Sequence, residues 1–297
     1  MSSLPVREPM PSEAVETAPV ASTAVAAARK PGASPQYEAF LRAQRRKVWS
    51  IRLARLGVLA LVLALWEIAA NVRWIDPMLT SQPSRLASAF RQLAFEGTLF
   101  HHTWVTSLET VIGIAVSMTL GTLIAMLFWW STYASKVLEP YVVVLNALPK
   151  VALGPIFYIW LGEKYSIYGM AIAISIIVTI MMIESGFKEI SRTKLKLMES
   201  LGASRYQMLR MVLLPASVPN VIATLKVNVG LTLVGVVMGE FLSSKAGLGY
   251  LIIYGGQVFQ MDLVMVSIML LAALSVVLYG IVSVAGHYAL KKTHFEA

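Results

Sequence analysis

Long apolar runs alternate with short polar stretches along this chain. Six runs approach the ~20 residues that a helix needs to cross a bilayer. They cover about 53–72, 105–130, 139–161, 166–187, 217–241 and 263–288. Strands of a membrane barrel would be about ten residues long and alternate in polarity. These runs are twice that length and apolar all round, so they predict helices, which satisfy their backbone internally. The expected fold class is an all-α membrane protein with six transmembrane helices within residues 53–290. In the second run Gly113, Ser117 and Gly121 recur every four residues. That spacing predicts a face where another helix approaches closely.

Composition agrees with the pattern. The 297 residues are 57% hydrophobic and 14% charged, and mean hydropathy is +0.68. Soluble domains hold about 45–50% apolar and about 25% charged residues. Residues 1–36 are rich in Ala, Pro, Ser, Thr and Glu without apolar periodicity, and read as a disordered tail. Glu8, Glu13 and Glu16 stand where a signal peptide would be basic, so no cleaved signal is expected. Residues 37–52 are a basic juxtamembrane segment, with Arg42, Arg45, Arg46, Lys47 and Arg52.

The net charge of +9 then indicates orientation rather than nucleic acid. Six crossings put both termini on one side. That side would hold the basic lead-in, the cluster Lys188, Arg192, Lys194, Lys196, Arg205 and Arg210, and Lys291 and Lys292. The opposite loops hold fewer cations, so both termini and the residues 291–297 are expected in the cytoplasm.

One polar interruption stands out, "LMESLGASRYQMLRMVLLPAS", Leu197–Ser217. Leu195, Met198 and Leu201 recur every three residues, and Gly202 suits a left-handed helix C-cap. Ser204 with Gln207 fits a capping box that starts a second short helix, on which Met208, Met211 and Val212 share a face. Pro215 and Pro219 follow at the entry to the next span. The pattern predicts a surface helix-turn-helix within residues 188–215. Two roles fit it: a cover for lipid, or a docking element for a soluble partner.

These residues resemble the cytoplasmic EAA loop of permease subunits of bacterial ABC importers. That signature reads Glu-Ala-Ala, three residues, Gly, nine residues, Ile, one residue, Leu-Pro. Gly202, Val212, Leu214 and Pro215 match its second half, with Val for Ile. Lys196, Leu197 and Met198 stand where Glu-Ala-Ala is usual, and Glu199 is displaced by three. "LNALPKVALGPIFYIWLG" (145–162) resembles the proline-broken third span of the nitrate/taurine/sulfonate branch, and "LGAS" (201–204) and "GEFLSSKAGLGYLI" (239–252) are similar to that branch as well.

The resemblance, over roughly residues 50–290, implies several things. The chain would lie in the bacterial inner membrane as the permease subunit of an importer. Its partners would be ABC ATPase subunits, an extracytoplasmic solute-binding protein and a second permease copy, as a homodimer. The ATPase would dock on Lys196, Glu199, Gly202, Ala203, Ser204, Met208, Leu214 and Pro215. Glu240, Gly247 and Gly249 would belong to a gate or to the binding-protein contact. No cofactor would be bound by this chain; ATP and Mg would be used by the partner ATPase. The solute would be a small anion such as a sulfonate, taurine, nitrate or a related organic acid.

Candidate chemistry fits a conduit better than a catalyst. There is no cysteine, the four histidines lack ligand spacing, and no G-x-x-x-x-G-K-[ST], H-E-x-x-H or G-x-S-x-G occurs. Lys150 lies ~15 Å along a helix from Pro140, a depth at which ionisable residues are usually functional. With Pro149 and Pro155 beside it, Lys150 either lines the pathway and favours an anion, or snorkels or pairs with a carboxylate such as Glu184. Asn228 lies mid-span and either bonds across helices or lines the path. Glu67, Glu109 and Glu163 fall near span ends and read as interfacial. A secondary transporter driven by ions or protons is the alternative. It would want paired carboxylates or histidines deep in the spans and inverted repeats, neither of which is evident.

Overall fold

The computed structural model describes residues 35–76 and 80–292. The expected tail, except for its last two residues, and the last five residues of the C-terminus lie outside them. Among the described residues every regular element is helical. They are α1 (Pro35–Asn71), α2 (Pro83–Phe95), α3 (Thr98–Trp130), α4 (Thr132–Ala147), α5 (Gly154–Glu189), α6 (Arg192–Ser200), α7 (Arg205–Met208), α8 (Leu214–Ser243), α9 (Leu248–Gln257) and α10 (Met261–Lys292). A 3₁₀ turn (Lys150–Leu153) precedes α5, and a π-turn (Leu209–Leu213) joins α7 to α8.

The chain divides into two units, residues 1–60 and 61–297. The described part of the first is the basic N-terminal portion of α1, whose apolar side chains, among them Trp49, Leu53 and Leu56, are exposed. The basic segment 37–52 and the first apolar run therefore form one helix.

In the second unit α3, α5 and α8 pack most closely. The small residues predicted on α3 are where this happens. A Cβ on Gly113 would sit 2.7 Å from Thr232 Cγ2, and one on Gly121 2.6 Å from Thr179 Cγ2. Buried hydroxyls return to their own helix: Thr110 donates to Thr106 O (2.7 Å), Ser175 to Ala171 O (2.7 Å) and Thr179 to Ser175 O (2.9 Å). Such bonds let polar residues enter an apolar bundle. Glu67, expected only at an interface, accepts from Ser84 N (3.1 Å) and Ser84 Oγ (2.8 Å) at the N-terminal turn of α2. A carboxylate there offsets the unpaired amides of the turn.

Among the described residues, five helices are long and apolar enough to cross a membrane, over Phe40–Asn71, Thr98–Trp130, Lys150–Glu189, Arg205–Ser243 and Met261–Lys291. The third predicted run, 139–161, is not one helix. α4 stops at Ala147 because Leu148, ahead of a proline, turns extended (φ −65°, ψ 137°). The chain resumes as the 3₁₀ turn and then α5, whose path breaks again at Gly162 (φ 74°, ψ 177°). The proline-rich run is thus a helix, a turn and a second short helix.

Candidate functional site

The turn at the centre of the interruption 188–215 folds as its sequence predicts. Gly202 has φ +76° and closes α6 with paired amides: Gly202 N donates to Glu199 O (2.9 Å) and Ala203 N to Met198 O (3.0 Å). This is the double bond pattern of a Schellman cap. Ser204 then restarts the chain. Its Oγ accepts from Gln207 N (3.3 Å), while Gln207 Oε1 accepts from Ser204 N (2.7 Å), a complete capping box.

The hairpin is fastened to the bundle on one side. Arg205 Nη1 donates to Trp130 O (2.8 Å), at the C-terminal end of α3 where carbonyls lack helical partners. Leu209 and Leu213 are buried with Ala125, Ile183 and Phe187. The other side is open: Leu197, Leu201 and Tyr206 are 61%, 74% and 58% exposed. Of the expected docking residues, Gly202 and Ser204 form the turn. Lys196, Glu199 and Met208 border a groove of about 270 Å³ beside Trp129. Met211, expected with Met208 on one face, is exposed whereas Met208 is half-buried. The π-turn rotates the faces out of step. Pro215 lacks the N–H that an α-helical turn would use and its ring clashes with the preceding turn, which favours the wider turn ahead of it. Leu214 and Pro215 then open α8.

At the far end of α8, Glu240 is 1% exposed. It is held by Thr106 Oγ1 (2.7 Å to Oε1) and Gly249 N (2.5 Å to Oε2), and the Tyr250 amide adds to them. Thr106 Oγ1 also accepts from Leu248 N (2.8 Å), and His102 Nδ1 accepts from Gly247 N (2.9 Å). All four amides of residues 247–250 are therefore spoken for, and α9 starts on a buried carboxylate. This explains both glycines of the Gly-Leu-Gly motif. A Cβ on Gly247 would meet Glu240 Oε1 at 2.2 Å, and one on Gly249 would meet Oε2 at 2.7 Å. Glu109, expected at an interface, is instead buried against Glu240, with Oε2 unpartnered.

The remaining expected residues lie apart from both sites. Lys150 Nζ donates to Asn146 O (3.2 Å), capping the end of α4. Pro149 and Pro155 flank that turn. Glu184, offered as a partner for Lys150, pairs with Lys188 (2.9 Å) and accepts from Ser135 (3.2 Å). Asn228 is fully buried and donates to Thr179 Oγ1 (2.7 Å) and Met118 Sδ (2.9 Å), tying α8 to α5 and α3. The sequence pattern singles out none of Thr106, His102 and Lys226 for a site, and Arg205 only as one of the cytoplasmic cations. Lys226 carries a signal, a cation in the middle of an apolar run; the others are ordinary residues whose partners lie more than 70 positions away.

The site is thus a helix bundle with a braced hairpin at one end of α8 and a clasped short helix at the other. Residues 117–293 match the family described as "Binding-protein-dependent transport system inner membrane component". The chain belongs to this family and is a permease subunit of an ABC importer, rather than an ion-coupled secondary transporter. It is 30% identical to the "Probable ABC transporter permease protein" of Haemophilus influenzae, over 77% of this chain and 94% of that one. It is 24% identical to the taurine transport system permease protein TauC of Escherichia coli, over 79% and 89%. A solved structure of the MetNI methionine ABC transporter, facing inward, shares the fold. Its TM-score is 0.58 at 16% identity, covering 67% of this chain and 98% of that one.

Proposed function

We propose that the chain carries a small anion, such as taurine, another sulfonate, nitrate or an organic acid, across the inner membrane. Energy comes from ATPase subunits seated on the open face of the 188–215 hairpin. One observation carries this reading. The hairpin leaves Leu197, Leu201 and Tyr206 exposed while Arg205, Leu209 and Leu213 bind its other face to α3 and the bundle. A partner that moves the hairpin therefore moves the start of α8 with it. The resulting switch between inward and outward access is a rigid-body shift of packed helices.

In this reading α9 is part of the outward surface that meets the solute-binding protein, and Glu240 with Gly247 and Gly249 keeps that surface shaped. Lys150 belongs to the pathway. A second copy of the chain completes the conduit, and both termini face the cytoplasm. The taurine permease at 24% identity supports the solute class. The test is co-purification with the ATPase. Leu201→Asp and Gly202→Asp are expected to lose the ATPase or to hydrolyse ATP without uptake, with the bundle still in the membrane. Full uptake by both variants would reduce the hairpin to a cover over lipid.

A further inference from the structure

Lys226 stands 12 residues into α8 and 17 from its end, about 18 Å and 25 Å at 1.5 Å per residue. A lysine that deep in an apolar helix costs about 2.5–3.5 kcal/mol to insert where it faces lipid. Such a residue normally has a carboxylate partner. Among the described residues Lys226 has none; its neighbour is the ring of Tyr279, 5.9 Å from Nζ to the centroid. A cation over a ring gains about 0.5–2 kcal/mol, which steadies the ammonium without neutralising it.

Tyr279 and Ser275 come from the middle of α10, one helical turn apart. With Lys226 they border a groove of about 340 Å³, at the small end of ligand sites. Neither hydroxyl has a hydrogen-bond partner among the described residues. That sets Ser275 apart from Ser175, Ser217 and Ser267, whose hydroxyls all return to their own helix. Gly230, one turn beyond Lys226, widens the groove: a Cβ there would meet nothing within 4 Å. Val276 beside it is 71% exposed, so the groove opens outward from this chain.

We infer that Lys226, Ser275 and Tyr279 form a mid-membrane subsite for the oxyanion group of the transported solute. The inference rests on the reading of the chain as a conduit for small anions and gives that reading a place. The ammonium brings positive charge and up to three donors, and the hydroxyls bring one each. A sulfonate, nitrate or carboxylate supplies the matching acceptors. Depth separates such a solute from a lipid headgroup, whose phosphate stays at the surface of the ~30 Å hydrocarbon layer. When no anion is present, the tyrosine ring lies beside the ammonium.

The test uses the complete transporter, with its ATPase and its solute-binding protein, in proteoliposomes. Ethanesulfonate, taurine and nitrate are the probes, with a neutral pyrimidine as control. Lys226→Met is expected to lower anion uptake at least tenfold and Lys226→Arg by less than about threefold, with subunit ratios intact. Gly230→Leu, which fills the groove without touching the charge, is expected to lower uptake by a similar factor and serves where Lys226→Met fails to assemble. Wild-type anion uptake by Lys226→Met, or by Gly230→Leu where that variant stands in, overturns the subsite while leaving the importer reading in place. Equal losses for anions and the neutral pyrimidine overturn it as well, marking the lysine as structural. A wild-type complex that moves the pyrimidine and none of the anions overturns the solute class itself, and the subsite with it.

Discussion

Replacing Gly247 by alanine attacks the clasp at α9 directly. The residue has φ +110° and ψ 165°, a region essentially reserved for glycine, where a side chain costs about 1–3 kcal/mol. The added Cβ would also lie 2.2 Å from Glu240 Oε1 and 2.3 Å from its Cδ. The carboxylate must then swing away, which breaks at least one charge-assisted bond to Thr106 or to the Gly249 amide, worth about 1.5–3 kcal/mol. Together these weaken the start of α9 by about 3–6 kcal/mol, a rise of roughly two to four powers of ten in local opening, at 1.36 kcal/mol per tenfold. Hydrogen exchange on the purified complex reads this at the amides of residues 249–251, the last of which is bonded to Gly247 O (3.2 Å). Adding Glu240→Ala to Gly247→Ala removes the obstacle, so the double variant is expected to lose less than the sum of the singles. Unchanged protection in Gly247→Ala, or strict additivity, would refute the account of why this motif pairs Glu with Gly-Leu-Gly.

Asn228→Ala removes the tie from α8 to Thr179 and Met118 and is expected to destabilise the bundle by about 0.6–1.7 kcal/mol, the span found for polar contacts between membrane helices; thermal unfolding in detergent measures it. Ser204→Ala deletes half of the capping box at a cost of about 1 kcal/mol. Its expected signature is selective: ATP hydrolysed per solute imported rises, while the melting temperature of the bundle stays within experimental error.

The elements nearest in sequence were the most legible. Gly202, Ser204 and Gln207 specify the hairpin through contacts three to five residues long, so spacing alone sufficed. The small residues Gly113, Ser117 and Gly121 announced the close face of α3, since nothing but a neighbouring helix rewards that pattern. In the proline-rich third run the prolines announce a break, but hydropathy sums across it as one span, and the second break, at Gly162, lies just past the run's end where hydropathy leaves no mark. Glu109 was misplaced for a related reason. Its position near a run's edge suggested an interface, but α3 begins at Thr98, several residues before the apolar run, and so carries Glu109 inside. The clasp around Glu240 joins residues up to 145 positions apart, His102 and Gly247, and no local pattern encodes such a meeting.

The π-turn at Leu209–Leu213 holds one residue more per turn than an α-helix, and that has a consequence for how this junction changes over generations. Loss of a single codon from this stretch would restore an ordinary helix without shifting the phase within α8 or within the hairpin. It would leave the angle between them nearly unchanged, because five residues with i→i+5 bonds cover almost the arc that four cover in an α-helix. Arg205 would keep its reach to the end of α3, and Leu209 its pocket beside Phe187. The extra residue is absorbed within one turn, so this short stretch is a place where length can change without turning the hairpin against α8. A single-residue deletion inside α8 itself has no such slack and turns its two ends against each other by about 100°.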